Sequence, residues 1–449
     1  MTKDTIAAIS TALGTSAISI VRMSGEDVFD IIEKIYKGKN LRSVDSHTIN
    51  YGKVYDGEQM IDEVLVSVFR APKTFTKEDL IEINCHGGAF VAKRVLELLL
   101  ANGARLAEKG EFTERAFLNG RIDLTQAESL MDIIESRSDN ALHLAAEGLD
   151  GKIYKLISSL RESLLDIVAN IEVNIDYPEY DDAETLTDEV LYPRIEKLKN
   201  RIDEILKKAN MGKVMRDGVK TVIIGRPNVG KSSVLNALLR EDKAIVTEIQ
   251  GTTRDIVEGE INIGGIVLNL VDTAGIRDSD DLIERIGIDK AKSMIDEAEL
   301  VLYVLNNNEP LSKEDEQLLE LTKDKKRIVI INKIDLESKI GRTFENSVSI
   351  SALNRTNIEK LEATIENMFL TGDIDFQGET YLSNARHIAK MRTVQQSLND
   401  AIEAAKSHHP VDMIEIDLKE AWETLGEIIG QTKNTALLDE LFSKFCLGK

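Results

Sequence analysis

Cysteine is almost absent from this chain, with Cys85 and Cys446 the only two among 449 residues. Two thiols cannot build a disulfide framework, and a reducing, cytoplasmic setting fits. Histidine is also sparse, with six residues scattered along the chain, so no spacing points to a structural zinc site. No apolar run approaches the ~18 residues of a membrane-spanning helix, and no membrane insertion is expected. The N-terminus, Met1-Thr2-Lys3-Asp4, lacks a signal-peptide pattern. Positive charge is in deficit: 56 Lys and Arg stand against 78 Asp and Glu, a formal net charge of −22. That balance argues against a large, strongly basic nucleic-acid surface, though not against a local basic patch. Any RNA partner is therefore expected to be held by a second protein, or weakly.

The length allows two to four domains with real cores. Its most specific stretch is Gly225-Arg226-Pro227-Asn228-Val229-Gly230-Lys231-Ser232, which fits the phosphate-binding loop G-x-x-x-x-G-K-[ST]. The apolar run Thr221 to Ile224 before it reads as a buried strand, and Val234 to Leu239 after it reads as a helix. In that setting backbone N–H groups close around phosphates and the helix N-terminus adds positive potential. Asn228, Val229, Gly230, Lys231, Ser232 and Ser233 are the candidate contacts. Lys231 reaches the outer phosphates, and the Ser232 hydroxyl suits Mg²⁺.

Three further motifs narrow the nucleotide to GTP. Asp272-Thr273-Ala274-Gly275 follows the run Ile266 to Val271, placing a carboxylate to hold Mg²⁺ through water and a glycine N–H near the γ-phosphate. Asn332-Lys333-Ile334-Asp335 follows Ile328 to Ile331. The Asp335 carboxylate accepts two hydrogen bonds from the N1–H and exocyclic amine of guanine, whereas adenine would leave it unpaired. Ser351-Ala352-Leu353 fits the loop that supports the base. At Ile276, where Ras-like proteins carry a water-orienting glutamine, no such chemistry is available. Glu284, Arg285, Asp280 and Asp281 are the candidates from spacing alone.

Around this GTPase unit, residues 1 to about 118 read as a small α+β domain. Its strands are at Ile18 to Val21, Val64 to Phe69 and Leu80 to Ile83, and a helix runs from Val91 to Leu100. Helical periodicity marks Ile153 to Ile171, Ile195 to Leu206, Met391 to Ala405 and Leu418 to Ile429, with a last helix from about Leu437 to Phe445. Long helices on both sides predict a GTPase unit inserted into one helical domain. The expected boundaries are 1–118, 119–213, 214–375 and 376–449. The tail, Cys446-Leu447-Gly448-Lys449, reads on chemistry alone as ordinary helix-end residues.

Several segments together resemble the MnmE (TrmE) family of tRNA-modification GTPases. These are GRPNVGKS at 225–232, Gly251-Thr252-Thr253-Arg254-Asp255, Ile283-Glu284-Arg285-Ile286-Gly287 and the CLGK tail. In the N-terminal part they are Asp4 to Ala8, Ile20 to Gly25, His86-Gly87-Gly88 and Gly110 to Gly120. The resemblance implies an N-terminal tetrahydrofolate-binding domain that dimerises, a discontinuous helical domain and an inserted α/β P-loop (Ras-like) GTPase domain. It implies work as a homodimer with the flavoprotein MnmG in a heterotetramer. Together they would add an aminomethyl or carboxymethylaminomethyl group at C5 of the wobble uridine of tRNA. The one-carbon unit would come from 5-formyl- or methylene-tetrahydrofolate.

The resemblance also assigns residues. Glu284 falls on the water-orienting glutamate. K⁺ replaces an arginine finger when two GTPase domains pair, with ligands at Asn228, Thr247, Ile249 and Thr252. Ser232 and Thr253 fall on Mg²⁺. Arg22, Glu82, Arg121 and Lys449 fall on the folate pattern. The segment Thr11 to Ala17 departs from the family in having fewer glycines and no proline. Two other readings compete: an assembly GTPase, which would usually add a basic RNA-binding domain, and a folate-dependent transferase whose GTPase motifs play no part.

Overall fold

The structure, a computed structural model, describes residues 4–176, 191–239, 259–271, 288–370, 380–407, 409–431 and 435–448. By internal contacts it divides into two compact units, Met1–Met131 with Leu149–Ile157 and Gly426–Lys449, and Asp132–Gly148 with Ser158–Leu425.

The first unit is built on a seven-stranded sheet. Its order is Tyr36–Gly38, Thr48–Asp56, Gln59–Phe69, Leu80–His86, Ile18–Ser24, Ile6–Ile9 and Arg105–Leu106. All neighbours are antiparallel except the last pair. Side chains alternate across such a sheet. Val64, Val66 and Val68 point into a core with Val21, Met23, Ile81 and Ile83, under the helices Val28–Ile35 and Ala89–Ala101. The opposite face carries two cross-strand rows, Ile49–Ser67–Glu82–Arg22 and Tyr51–Leu65–Asn84–Ile20. Ile49 and Tyr51 there are 68% and 61% exposed.

The sequence reading of this unit does not include, among others, strands Ile6–Ile9 and Thr48–Asp56 and helices Val28–Ile35 and Glu111–Leu118. The last helix, Thr435–Ser443, packs against Glu111–Leu118. Phe442 and Phe445 are buried with Ala116, Ile122 and Ala127. That apolar burial groups the helix with the N-terminal unit, whereas the sequence reading grouped it with the helical residues 376–449. The unusual loop at Thr11 to Ala17 is held by Ser16 N donating to Gly87 O, 2.8 Å. A Cβ on Gly87 would lie 2.1 Å from Ser16 O, so the loop's close approach requires that glycine.

The second unit holds a six-stranded sheet. Its order is Ser347–Ser349, Lys326–Asn332, Leu300–Asn306, Val219–Ile224, Ile266–Leu270 and Glu260–Ile263. It is parallel except for the Glu260–Ile263 edge. Strand Leu300–Asn306 is buried at every position, as expected of a parallel strand covered on both faces.

The long helix Tyr192–Asp217 runs directly into strand Val219–Ile224, and after the sheet the chain returns as helix Ala385–Lys406. That helix packs along Tyr192–Asp217, and Gln395 Nε2 donates to Asp203 Oδ1. Gly212 lets the backbones close, since a Cβ there would be 2.5 Å from Leu382 O. Arg161 of helix Lys152–Asp176 stacks 4.1 Å from the Trp422 ring of helix Val411–Ile428. The GTPase sheet is therefore inserted into one discontinuous helical domain.

Candidate functional site

The phosphate-binding loop joins strand Val219–Ile224 to helix Lys231–Leu238. Gly225, Asn228 and Gly230 all have positive φ, at 150°, 61° and 98°. A Cβ on Gly225 would lie 2.4 Å from Val304 O, so this turn is open only to glycine. Lys231 Nζ donates to the carbonyls of Gly225 and Arg226, at 3.0 and 2.8 Å. The ammonium is thereby held inside the loop. The loop's N–H groups and the first turn of the helix make an anion cradle, and Ser232 sits in that turn.

Asn332 ties the nucleotide-binding loops together. Its Nδ2 donates to Val229 O at 3.0 Å, and its Oδ1 accepts from Ala352 N at 3.0 Å. Its amide occupies the space over Gly230, where a Cβ would come within 2.3 Å of Nδ2. Sequence reading placed Asn332 among the GTP contacts and missed this role as a tie. Lys333, at φ 65°, donates from Nζ to Asn228 O at 2.7 Å. Asp335 Oδ1 accepts from the Ser351 hydroxyl, which fixes the carboxylate. Ser351 and Thr356 exchange backbone bonds that close this loop. Leu353 at its tip is 84% exposed.

These loops bring together Asn228, Val229, Gly230, Lys231, Ser232, Ser233, Asn332, Lys333, Asp335, Ser351, Ala352 and Leu353 in one region of the second unit. Thr247, Ile249, Thr252, Thr253, Asp272, Thr273, Ala274, Gly275, Ile276 and Glu284 lie outside the described residues, as do Asp280, Asp281 and Arg285.

In the first unit, Arg22 and Glu82 are direct cross-strand partners on the open face of the sheet, not at its edge. Arg22 Nε and Nη2 both reach Glu82 Oε1, at 2.9 and 2.8 Å. The second carboxylate oxygen has no partner among the described residues. Arg22 Nη1 donates to Gly448 O at 3.3 Å, and the Ser10 hydroxyl donates to the same carbonyl at 3.0 Å. Leu447 bridges Lys109 in antiparallel fashion. Gly448, at φ 87°, admits no side chain, because a Cβ would lie 2.4 Å from Ile9 O. The tail is thus seated on the N-terminal sheet beside Arg22; Lys449 lies outside the described residues. Arg121 shares the Phe75 ring with Arg22, at 5.0 and 6.0 Å from its centroid. Neither Phe75 nor Ser10 was singled out by the sequence reading, since nothing local marks them.

A buried ion-pair network supports this site. Arg115 donates from Nη2 to Asp4 Oδ1 at 2.8 Å and Glu111 Oε1 at 2.9 Å, and its Nη1 lies 3.3 Å from Glu78 Oε2. Burial alone raises the pKa of Glu111. Hydrogen bonds from Arg105, the Glu108 amide and Arg115 outweigh that and hold it below the ordinary carboxylate value. Asp4 is held low in the same sense, with burial opposed by Arg105 and Arg115.

No helix among the described residues is long and apolar enough to cross a membrane. Comparison with known proteins agrees with the sequence motifs. The family described as MnmE helical domain matches residues 124–446, and that described as GTP-binding protein TrmE N-terminus matches residues 5–121. The tRNA modification GTPase MnmE of Staphylococcus haemolyticus (strain JCSC1435) is 51% identical over 456 residues, covering 99% of both chains. That of Lactococcus lactis subsp. lactis (strain IL1403) is 52% identical over 448 residues, covering 99% of this chain and 98% of the relative. Among solved structures, Era in complex with MgGDPNP and a segment of 16S ribosomal RNA is 29% identical. It covers 40% of this chain and 66% of that one, at a TM-score of 0.26. With a phosphate cradle, a guanine-type carboxylate and full-length relatives of this identity, the chain belongs to the MnmE (TrmE) family of tRNA-modification GTPases.

Proposed function

We propose that this GTPase drives addition of an aminomethyl or carboxymethylaminomethyl group at C5 of wobble uridine in tRNA. In this reading the one-carbon unit comes from 5-formyl- or methylene-tetrahydrofolate bound by Arg22, Glu82, Arg121 and Lys449. The protein acts as a homodimer with the flavoprotein MnmG as partner. The functional parts are the N-terminal domain at 1–118, the helical segments at 119–213 and 376–449, and the GTPase domain at 214–375.

The observation that carries the folate part is the seating of Gly448 on Arg22, directly beside Glu82. A pterin offers paired N–H donors. Glu82 has one carboxylate oxygen taken by Arg22 and one open among the described residues, which suits such a ligand. Arg121 supplies positive charge for an acidic tail. Exposed Ile18, Ile49, Tyr51 and Leu65 on the same open face support the homodimer, since a patch of that kind marks an interaction surface. Deleting residues 446–449 should weaken folate binding by at least roughly tenfold in calorimetry and leave GTP hydrolysis intact. Wild-type folate affinity in the truncated protein contradicts the assignment.

Mg²⁺ fits Ser232 in the first turn after the loop, with Thr253 and the DTAG motif as its further holders. K⁺ fits Asn228. Its side-chain amide is exposed and unbonded among the described residues, while its carbonyl is already held by Lys333. Thr247, Ile249 and Thr252 complete the proposed K⁺ set. When bound, the two cations supply positive charge to the phosphates in the transition state. The chain's own parts are to cradle the phosphates with loop amides and Lys231, to select guanine with Asp335, and to orient water with Glu284. Turnover should be much faster in K⁺ than in Na⁺ at equal ionic strength, and Asn228→Ala should lose that difference. Equal wild-type rates in the two salts remove the K⁺ part.

A further inference from the structure

A second cleft lies in the N-terminal unit, apart from the nucleotide site. Phe69 and Phe75 wall it, and His47, Lys73, Lys77 and Arg121 surround it, enclosing about 370 Å³. Three cations and no carboxylate line it, in a chain where acidic residues outnumber basic ones 78 to 56. Among the described residues none of the three is paired with a carboxylate. Lys77 Nζ donates to the carbonyls of Asn119 and Gly120, at 3.0 and 2.9 Å, which leaves one N–H and the full charge. Arg121 lies on the Phe75 ring.

Two lining residues, His47 and Lys77, hold left-handed backbone at φ 62° and 61°. That conformation is unfavourable for lysine and is kept where the surroundings impose it, often at ligand sites. The same conformation recurs at Asn228 and Lys333 in the phosphate and base loops, and at Asn346, Arg355 and Asn357.

Phe75 connects this cleft to Arg22 and Glu82, because Arg22 and Arg121 share its ring. We propose that the cleft binds the oligo-γ-glutamyl tail of a folate, a flexible chain with a free carboxylate on every residue. The inference rests on the folate reading above and adds a specificity that Arg22, Glu82 and Arg121 alone do not supply. Each successive carboxylate meets a cation that has no carboxylate partner among the described residues, and the aromatic walls take the methylenes. RNA phosphates share the charge but need many contacts along a basic surface, which a chain of net charge −22 does not offer.

The test titrates the full-length protein with monoglutamyl and pentaglutamyl 5-formyltetrahydrofolate at low salt. The wild type should bind the pentaglutamyl form roughly tenfold more tightly, and the advantage should shrink as salt rises. Lys73→Gln and Lys77→Gln should each reduce the ratio of the two affinities. Lys73→Gln is the cleaner variant, because Lys77 also caps backbone carbonyls and its loss can disturb folding. Monoglutamyl binding with no gain from the longer tail overturns the cleft assignment and leaves the folate reading standing. Failure of both forms to bind removes the folate reading and this inference with it. An unchanged ratio in Lys73→Gln, with weakened salt-dependent tRNA binding, gives the cleft to RNA and also overturns the proposal.

Discussion

Asn332 shows how one side chain sets the geometry of a site it was expected merely to line. Its amide joins the phosphate loop through Val229 and the base-supporting loop through Ala352, and it is almost fully buried. Truncation leaves a carbonyl and an N–H unsatisfied in the interior, a cost of about 2–3 kcal/mol. Asn332→Ala should therefore weaken GTP affinity by roughly 10–100-fold through loss of loop order, with Asp335 and Lys231 still present. Nucleotide titration of the variant checks this. Affinity at the wild-type level would show that the two loops hold their shape without the tie. Gly230 belongs to the same argument, since its missing Cβ is the space that the Asn332 amide fills.

At the level of elements, helix Glu111–Leu118 is held by charge as much as by apolar packing. Arg115 is 6% exposed and bonds Asp4 and Glu111 from opposite ends of the N-terminal segment. Arg115→Met removes the buried partner that Asp4, Glu78 and Glu111 share, leaving Arg105 to hold Asp4 and Glu111, and should cost about 1–3 kcal/mol of stability at neutral pH, read by thermal melting. The pH dependence follows from the sign of the shifts. Asp4 and Glu111 titrate lower in the folded protein than in the unfolded chain, so the unfolded state takes up protons first as pH falls. Their contribution is complete above about pH 4.5 and is lost below it, through the folded pKa values. The Arg115→Met variant should show a flatter acid transition; an unchanged acid slope contradicts this account of the helix.

What could be read in the sequence follows the same physics. The parallel strands Val219–Ile224 and Lys326–Asn332 have mostly buried residues and appear as the apolar runs Thr221 to Ile224 and Ile328 to Ile331, whereas the fully buried strand Leu300–Asn306 was not singled out. Strand Thr48–Asp56 alternates buried Asn50, Gly52 and Val54 with exposed Ile49 and Tyr51, so its hydrophobic pattern is inverted and it was missed. Helix Glu111–Leu118 carries no continuous apolar stripe, since its buried face mixes Phe112 and Ala116 with the ion-paired Glu111 and Arg115. The nucleotide loops were legible because phosphate and guanine dictate residue types at fixed spacing. The contact of Arg22 with Gly448 spans 426 positions, and nothing in composition or periodicity announces such a pairing; only the family resemblance of the tail pointed there.

Across the whole molecule, a GTPase sheet is inserted into a helical domain, and the chain's C-terminal residues return to the N-terminal sheet. A chain of net charge −22 is poorly suited to holding tRNA alone, which agrees with a partner carrying most of that contact. The proposed role of GTP turnover in this protein is modification of wobble uridine. Mass spectrometry of nucleosides from tRNA tests that role, comparing cells with and without the protein. C5-aminomethyl or carboxymethylaminomethyl uridine should be lost from the wobble position in cells lacking it. The wild-type chain should restore the modification, and a Glu284→Ala variant that still binds GTP should not. Undiminished wobble modification in cells lacking the protein would contradict that role.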